Sequence, residues 1–488
     1  MRRIREANKT LPAPPLVYID TYGCQQNESD SEKLRGMLDE MGYGTTGDEY
    51  AADVVIINSC AIRENAENRI YGNVGALVHT KKAKPSQIIA FCGCMAAIPE
   101  VAEKMRQSYK HVDLMFSPNK LWRFPEMLQR VMQPAMFRDL GATWDETTLL
   151  PGVGGHTLPV RASGRPARVF ETDVGDGCIA EGIPIKRGRT VKAWLPIMYG
   201  CDNFCSYCIV PYVRGRERSR EPEAILEEAR SLVAGGYKDI TLLGQNVNSY
   251  GAGLAEKTGF PEIIRRINDI DGEFLIRFMT SHPKDASIEL FRAMAESEKA
   301  AKHIHLPFQA GSDRILKLMN RGYTQAEYLE KIAAARELMP DIVITSDVIV
   351  GFPGETGQDF EDTLHLIEKA RFDAMFTFIY SKRPGTPAAD LPDPARREEK
   401  QERFDRLLEI QNAISEEKHS QYIGKTVRIL VDEETRDEQY PLKARTNGGR
   451  LVHLPGDAAA YFGRFIDARI THSNSWALFG GLDLISLP

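Results

Sequence analysis

Over the first third of the chain, short apolar runs alternate with longer stretches whose apolar positions recur at helical spacing, the pattern of successive β-α units. The runs at 16–21, 54–58 and 88–91 read as strands, and 31–41 reads as a helix. From residue 191 the alternation resumes, with strand-like runs at 193–198, 239–243, 274–279, 303–307, 342–350 and 374–380. Such a series closes into an open or partial barrel. Past residue 424 the apolar runs shorten and alternate, at 427–431, 451–454, 465–470 and 476–478, with turn residues between them. That spacing fits a small barrel of the oligonucleotide-binding kind, and a polar helix over 394–421 leads into it. Between 141 and 192 periodicity is lost and Gly, Pro and Arg accumulate, including Gly152-Val153-Gly154-Gly155, which reads as a linker or insertion. The predicted fold class is α/β: an open parallel α/β domain (15–140), the connector (141–192), a partial (β/α)6 barrel with its following helix (193–421) and a small β-barrel (422–488).

Length and composition agree with several soluble cores. The chain has 488 residues, 42% hydrophobic and 27% charged, too long for one domain. No apolar run is long enough to cross a bilayer, and the basic start Met1-Arg2-Arg3-Ile4-Arg5 lacks the apolar segment of a secretory signal. A cytoplasmic protein with no membrane partner is expected. In a reducing compartment the eight cysteines read as ligands or free thiols. A net charge of -6 means that any nucleic-acid contact must come from a local patch.

The cysteines carry the chemistry. Cys201, Cys205 and Cys208 form Cys-x3-Cys-x2-Cys with Tyr207 before the third, and no further Cys or His follows nearby. Structural zinc wants four ligands, whereas three thiolates leave one iron of a four-iron cluster open to a cofactor or substrate. A zinc site or a chance grouping is the alternative. Cys24, Cys60 and Cys94 each follow a predicted strand within a few residues. In an open parallel sheet such positions converge beyond the carboxyl ends, so a second cluster on three thiolates is one reading. Small buried hydrophobes are the other. Cys92 competes with Cys94, but Gly93 permits the turn that brings Cys94 into the loop. Cys178, isolated among glycines, reads as a free thiol. Gly42-Tyr43-Gly44-Thr45-Thr46-Gly47 matches G-x-G-x-x-G formally but follows a helix and precedes a strand, the wrong context for a dinucleotide site.

The barrel strands stop at polar or Gly-rich loops: Gly244-Gln245-Asn246-Val247-Asn248, Thr280-Ser281-His282-Pro283, Gln309-Ala310-Gly311-Ser312 and Gly351-Phe352-Pro353-Gly354-Glu355-Thr356. Gly244 and Gly351 would let backbone approach a nucleoside. Gln245, Asn246, Ser281, His282 and Gln309 would bond an amino-acid tail and a ribose. His303-x-His305 fits strand alternation. Arg214, Arg216, Arg218 and Arg220 alternate after the cysteine loop and suit phosphate recognition; salt-bridged or exposed arginines fit equally.

With these residues in view, the chain resembles the radical methylthiotransferases, most closely their tRNA-modifying MiaB type, nearly end to end. The segments that carry the resemblance are Thr21-Tyr22-Gly23-Cys24-Gln25-Gln26-Asn27, Asn58-Ser59-Cys60-Ala61-Ile62-Arg63-Glu64, Gly93-Cys94-Met95-Ala96 and 199–220. The tail resembles a TRAM domain, an RNA-binding barrel. The resemblance implies two 4Fe-4S clusters: an auxiliary one on Cys24, Cys60 and Cys94, and a radical-generating one on Cys201, Cys205 and Cys208, where S-adenosylmethionine is cleaved to a 5′-deoxyadenosyl radical. That radical removes hydrogen from C2 of the adenine, and the auxiliary cluster presents the sulfur. It implies as partners a tRNA anticodon stem-loop, an electron donor such as flavodoxin or ferredoxin, and sulfur-delivery or cluster-assembly proteins. Family members act on isopentenyladenosine, on threonylcarbamoyladenosine or on an aspartate of ribosomal protein S12. The segment from Phe376 through Tyr380 and Arg383 to Pro387, with Thr280 to Pro283, looks like the isopentenyladenosine type. Asn27, Arg214, Arg220, Tyr380 and Arg383 are the candidate substrate-binding residues, and Tyr207 joins the candidate cofactor set.

Overall fold

The computed structural model describes residues 1–61, 64–138, 168–175, 177–188, 190–255 and 257–482. The glycine-rich run at 152–155 and much of the 141–192 connector lie outside the described residues, as do Ile62 and Arg63. Two compact units make up the chain: Met1–Arg187 with Val210–Arg216, and Gly188–Ile209 with Glu217–Pro488.

The first unit is built on a parallel sheet of β1 (Leu16–Thr21), β2 (Gly44–Thr45), β3 (Val54–Ser59), β4 (Ile88–Gly93), β5 (Leu114–Phe116) and β6 (Val169–Glu171), in the order β2-β1-β3-β4-β5-β6. Every residue of β3 is buried, which is why Val54-Val55-Ile56-Ile57 runs apolar without alternation: helices cover both faces. β2, β5 and β6 are too short to show a period and escape the sequence reading. Placing β6 in a linker was therefore a misreading. Val169 N–H bonds to Asp113 O at 2.8 Å, and Arg123 and Arg130 each reach the Glu171 carboxylate at 2.6 Å. The end of the connector is also docked. A Cβ on Gly36 would sit 2.1 Å from Pro184 O, so only glycine lets the connector lie on the Gln25–Glu40 helix, where Lys186 N–H bonds to Glu32 O at 3.0 Å.

In the second unit β7 (Lys192–Pro196) precedes a short antiparallel pair, β8 (Met198–Tyr199) and β9 (Arg218–Ser219), that brackets the cysteine loop. β7 pairs with β10 (Asp239–Leu243) and β10 with β11 (Leu275–Phe278); β12 (His303–His305), β13 (Val343–Val350) and β14 (Ala374–Ile379) form a second parallel trio. Ala300, three residues before β12, makes an isolated parallel bridge to Ile276 of β11. The predicted six-strand series thus exists as two three-stranded arcs, with helices such as Gln325–Leu338 and Gly357–Ala370 starting at Thr capping boxes after the strand-end loops.

The tail is a closed barrel of β15 (Thr426–Glu434), β16 (Leu442–Thr446), β17 (Leu451–Leu454), β18 (Phe465–Ser473) and β19 (Leu478–Leu482), ordered β15-β16-β17-β19-β18. β16 went unread because Lys and Arg occupy its outward positions. The run at 476–478 is mostly turn: Trp476 is 74% exposed, with its N–H bonded to Asn474 Oδ1 at 2.8 Å. Arg277 ties the barrel to β11 through Thr446 O at 3.0 Å and Asn447 O at 2.8 Å. Among the described residues no helix is long and apolar enough to cross a membrane.

Candidate active site

In the first unit the carboxyl ends of β1, β3 and β4 deliver Cys24, Cys60 and Cys94. Cys24 caps the Gln25–Glu40 helix, Cys60 directly follows β3, and Cys94 opens a single 3-10 turn, Cys94–Ala97. Two glycines let the loops close on one another. A Cβ on Gly23 would come within 2.8 Å of Cys60 Cβ, and one on Gly93, at φ +90°, within 2.2 Å of Ser59 O. Cys92 instead lies within β4 and packs in the apolar core with Ile56 and Phe116.

Asn27 straps the loops together. Its amide donates to Asn58 Oδ1 at 3.1 Å and Ser59 O at 3.0 Å, and its Oδ1 accepts from Cys24 Sγ at 3.3 Å. It is wholly buried, so the proposed contact with substrate is corrected to a scaffold for the cysteine loops. Arg214 differs from expectation in the same way. Only 5% exposed, its guanidinium lies 3.1 Å from Asp30 Oδ2 and 3.5 Å from Asn27 Oδ1, and it hydrogen-bonds the Cys94 thiol. Arg220 is also buried, on Pro196 O at 2.7 Å and Glu228 at 2.8 Å. Guanidinium groups committed in this way do not face a phosphate; Arg216 is the exposed member of the series.

In the second unit the loop from Cys201 to Cys208 turns at Gly200 (φ +76°) and Phe204 (φ +45°). It is clamped from the 318–323 segment: Ser206 Oγ donates to Leu318 O at 2.8 Å, and Asn320 Nδ2 to Phe204 O at 3.0 Å. Cys205 is buried between two nitrogens, Arg321 Nη1 at 3.4 Å and His282 Nε2 at 3.9 Å. His282 Nδ1 accepts the Lys284 N–H at 3.2 Å, which leaves the hydrogen of the neutral ring on Nε2, facing the thiol. Burial, with Arg321 and Lys284 nearby, pushes the His282 pKa down to about 2, so the ring is neutral. Burial pushes the Cys201 thiol up to about 11. Tyr207 packs against the barrel core beside these groups.

The strand-end loops are wired to each other and carry unmet polar demand. Asn246 Nδ2 donates to Asp285 at 2.7 Å and its Oδ1 accepts from His282 N–H at 3.0 Å, so it binds the β10 and β11 loops together. Gly244 passes so close to Met198 that a Cβ would lie 2.4 Å from Cγ. Gln309, at φ +69°, and Gly351, at φ +70°, shape the β12 and β13 ends. Gln245 Oε1, both polar atoms of the Asn248 side chain, Ser281 Oγ, the Tyr380 hydroxyl and Glu217 Oε1 are buried without a protein partner among the described residues. Buried polar atoms in folded proteins are nearly all paired, so this concentration marks where a polar ligand belongs. Glu217 and Arg321 were not anticipated from sequence. Burial raises Glu217 to about 7, with Asp202 and Asp285 adding to it against a bond from Ser249 at 2.8 Å. Arg383 lies near Tyr380, and its charge offsets the rise that burial imposes on the phenol.

By chemical type, sets of three thiols are donors of the kind that iron-sulfur clusters take. No three His, Cys, Asp or Glu side chains among the described residues close on one point as an ion demands. A four-iron cluster takes its thiolates at separate corners.

Residues 195–367 match the Radical SAM superfamily, residues 16–117 the uncharacterized protein family UPF0004, and residues 420–482 the TRAM domain. The radical S-adenosylmethionine methyltransferase TsrM from Kitasatospora setae shares the fold with a TM-score of 0.52 at 16% identity, over 77% of each chain. The fold and the superfamily match define a radical SAM enzyme, a class that works with an iron-sulfur cluster and S-adenosylmethionine. The chain is 48% identical over 467 residues to the tRNA-2-methylthio-N(6)-dimethylallyladenosine synthase of Acetivibrio thermocellus, covering 96% of this chain and 91% of that one. It is 46% identical over 463 residues to the synthase of that name from Alkaliphilus oremlandii, covering 95% and 91%. The chain belongs to the radical SAM methylthiotransferase family, in its tRNA-2-methylthio-N6-dimethylallyladenosine synthase branch.

Proposed function

We propose that this protein adds a methylthio group to C2 of N6-isopentenyladenosine, the dimethylallyl nucleoside, beside the anticodon of tRNA. The observation that carries the reading is the pair of three-cysteine sets, each at the carboxyl ends of parallel strands, in a chain this close to the dimethylallyladenosine synthases. Cys201, Cys205 and Cys208 hold the radical cluster and leave one iron for S-adenosylmethionine, while Cys24, Cys60 and Cys94 hold an auxiliary cluster. Bound there, the two groups supply the one-electron chemistry and the sulfur that an inert aromatic C–H bond requires, which no side chain can offer.

The chain's own residues position and shield. Gln245, Asn248, Ser281 and Glu217 turn their unpaired polar atoms to the cofactor's amino-acid tail and ribose, and Asn246 fixes the loops that carry them. The acceptor's apolar substituent finds an apolar face. Asp347 pairs with Phe376 and Ile349 with Phe378, and Phe376 meets the His305 ring at 5.8 Å. These residues therefore share the strand face opposite the core residues Ile344, Val348 and Val350. Phe376 and Phe378 remain 51% and 39% exposed there. Exposed rings suit an isopentenyl group and offer nothing to the carboxylate of threonylcarbamoyladenosine or of an aspartate side chain.

The terminal barrel contributes RNA binding. On its outer surface His453, Phe479 and His472 sit side by side across β17, β19 and β18, the rings stacked at 5.1 and 4.4 Å, with Tyr440 against Phe479 at 5.2 Å. Rows of this kind stack unpaired bases without reading sequence. The reaction also needs an electron donor such as flavodoxin or ferredoxin and proteins that deliver sulfur or assemble clusters, in the cytoplasm where tRNA is modified.

The test is anaerobic. Reconstituted protein, S-adenosylmethionine, a reductant and an anticodon stem-loop carrying isopentenyladenosine are incubated, and the nucleosides are analysed by mass spectrometry. Methylthio nucleoside is the expected product; 5′-deoxyadenosine alone would mean another acceptor, and neither product from verified holoenzyme would overturn the reading.

A further inference from the structure

Arg214 lies six residues past Cys208 in sequence, yet it folds with the first unit, in the short Val210–Arg214 helix that packs against the turn opened by Cys94. A guanidinium taken out of water costs several kcal/mol unless charge and hydrogen bonds answer it. One carboxylate, Asp30 at 3.1 Å, neutralises it formally. Asn27 Oδ1 at 3.5 Å and the Cys94 thiol take further donors of the fork. A guanidinium keeps its proton throughout the pH range in which proteins fold. The positive charge is thus permanent, and it is aimed at two of the three cysteines of this site.

We propose that Arg214 is a positioning residue for the auxiliary cluster: its N–H donor and buried positive charge steady the Cys94 and Cys24 thiolates and raise the cluster's reduction potential, with Asp30 as the counterweight. The inference rests on the reading of Cys24, Cys60 and Cys94 as cluster ligands. Hydrogen bonds and charges beside ligating sulfur tune iron-sulfur potentials and orient the ligands. A fixed cation favours the reduced cluster, which carries one more negative charge, over the oxidised one. The two partners therefore act with opposite signs. Neutralising Arg214 removes stabilisation of the reduced form, whereas neutralising Asp30 leaves the cation unbalanced and increases it.

The experiment uses full-length protein carrying Cys201→Ala, Cys205→Ala and Cys208→Ala, so that any remaining cluster is the auxiliary one. Iron and sulfide are counted after anaerobic reconstitution, and the midpoint potential is read by EPR-monitored titration. Arg214→Met is expected to shift the midpoint to more negative values, Asp30→Asn to more positive ones, and Arg214→Lys to stay near the parent. Opposite shifts are what a merely structural role would not produce. If Arg214→Met loses the cluster, Asp30→Asn and Arg214→Lys still decide. Coincident midpoints in Asp30→Asn and parent, or a negative shift in Asp30→Asn, would overturn the proposal. Absence of iron-sulfur from the parent itself would instead refute the assignment of Cys24, Cys60 and Cys94, whatever Arg214 does.

Discussion

Arg321 Nη1 stands 3.4 Å from Cys205 Sγ, and the same guanidinium donates to Pro307 O at 2.6 Å and to the Tyr323 hydroxyl at 3.0 Å. A guanidinium stays charged even when buried. Burial pushes the Tyr207 and Tyr323 phenols up, so they stay neutral, and this buried cation is balanced once the Cys205 thiol ionises to bind metal. Arg321→Met should therefore cost the cysteine loop a charge-assisted hydrogen bond worth about 1.5 to 3 kcal/mol. In rate that is roughly 10- to 150-fold. S-adenosylmethionine cleavage, followed as 5′-deoxyadenosine, should fall by that factor, and Arg321→Lys should recover part of it.

The two neighbouring cysteines, Cys92 in β4 and Cys94 just past its end, should separate cleanly. Cys94→Ala is expected to lower iron content and abolish methylthio product while cleavage of S-adenosylmethionine continues. Cys92→Ala should keep its iron, since Cys92 lies in the core, and should only destabilise the protein by on the order of 1 kcal/mol for the small cavity left. Iron counting and thermal unfolding of the two variants check this. Loss of iron in Cys92→Ala with full iron in Cys94→Ala would reverse the assignment.

The metal-free protein should show two opposing pH dependences beside the radical site. Glu217 has its folded pKa raised to about 7 from 4.5, so between those values the folded state holds the proton that the unfolded chain has released. Stability contributed by this group falls as pH rises through that window. His282 is lowered to about 2 from 6.5, so the unfolded chain binds the proton first and stability falls as pH drops below about 6.5. Denaturant titrations from pH 5 to 7.5 should show Glu217→Gln gaining most over wild type at the alkaline end, and His282→Asn gaining most at the acid end.

What sequence could and could not reveal follows from range. β1, β10 and β17 occupy the predicted runs because alternation or continuous apolarity over several residues is a local signal. Two- and three-residue strands have no period to read. The placement of Cys24, Cys60 and Cys94 just past strand ends was legible because a strand end is a place in a fold as well as in a sequence. Arg214 was not, since its partner Asp30 lies 184 positions away, and a guanidinium reads alike in sequence whether it meets phosphate or a carboxylate. Arg321 reaches Cys205 across 116 positions with no motif to announce it.

The outer face of the terminal barrel should hold tRNA without touching the chemistry. The row from His453 through Phe479 to His472, with Trp476 projecting from the neighbouring turn, offers rings to unpaired bases. Stacking is worth about 1 to 3 kcal/mol per base, so Phe479→Ala and Trp476→Ala should each weaken tRNA binding by roughly 5- to 150-fold. Cleavage of S-adenosylmethionine without tRNA should be unchanged. Filter binding at one fixed salt concentration checks the first and nucleoside analysis the second. Unaltered binding in the double variant would remove the barrel face from the interface.

The acceptor's substituent supplies the sharpest test of specificity, because Phe378 offers apolar surface and nothing else. Covering a ring of this size with a dimethylallyl group should yield on the order of 1.5 to 3 kcal/mol, or about 10- to 150-fold in kcat/KM. Phe378→Ala should lose that much on a stem-loop carrying isopentenyladenosine and little on one carrying unmodified adenosine, whose turnover is already low. The comparison forms a double-mutant cycle in which one change is made to the protein and the other to the RNA. A coupling energy near zero would show that Phe378 acts only through the fold of β14. Coupling close to the whole loss would mean that discrimination between modified and unmodified tRNA is made on this strand, by contact with the substituent itself.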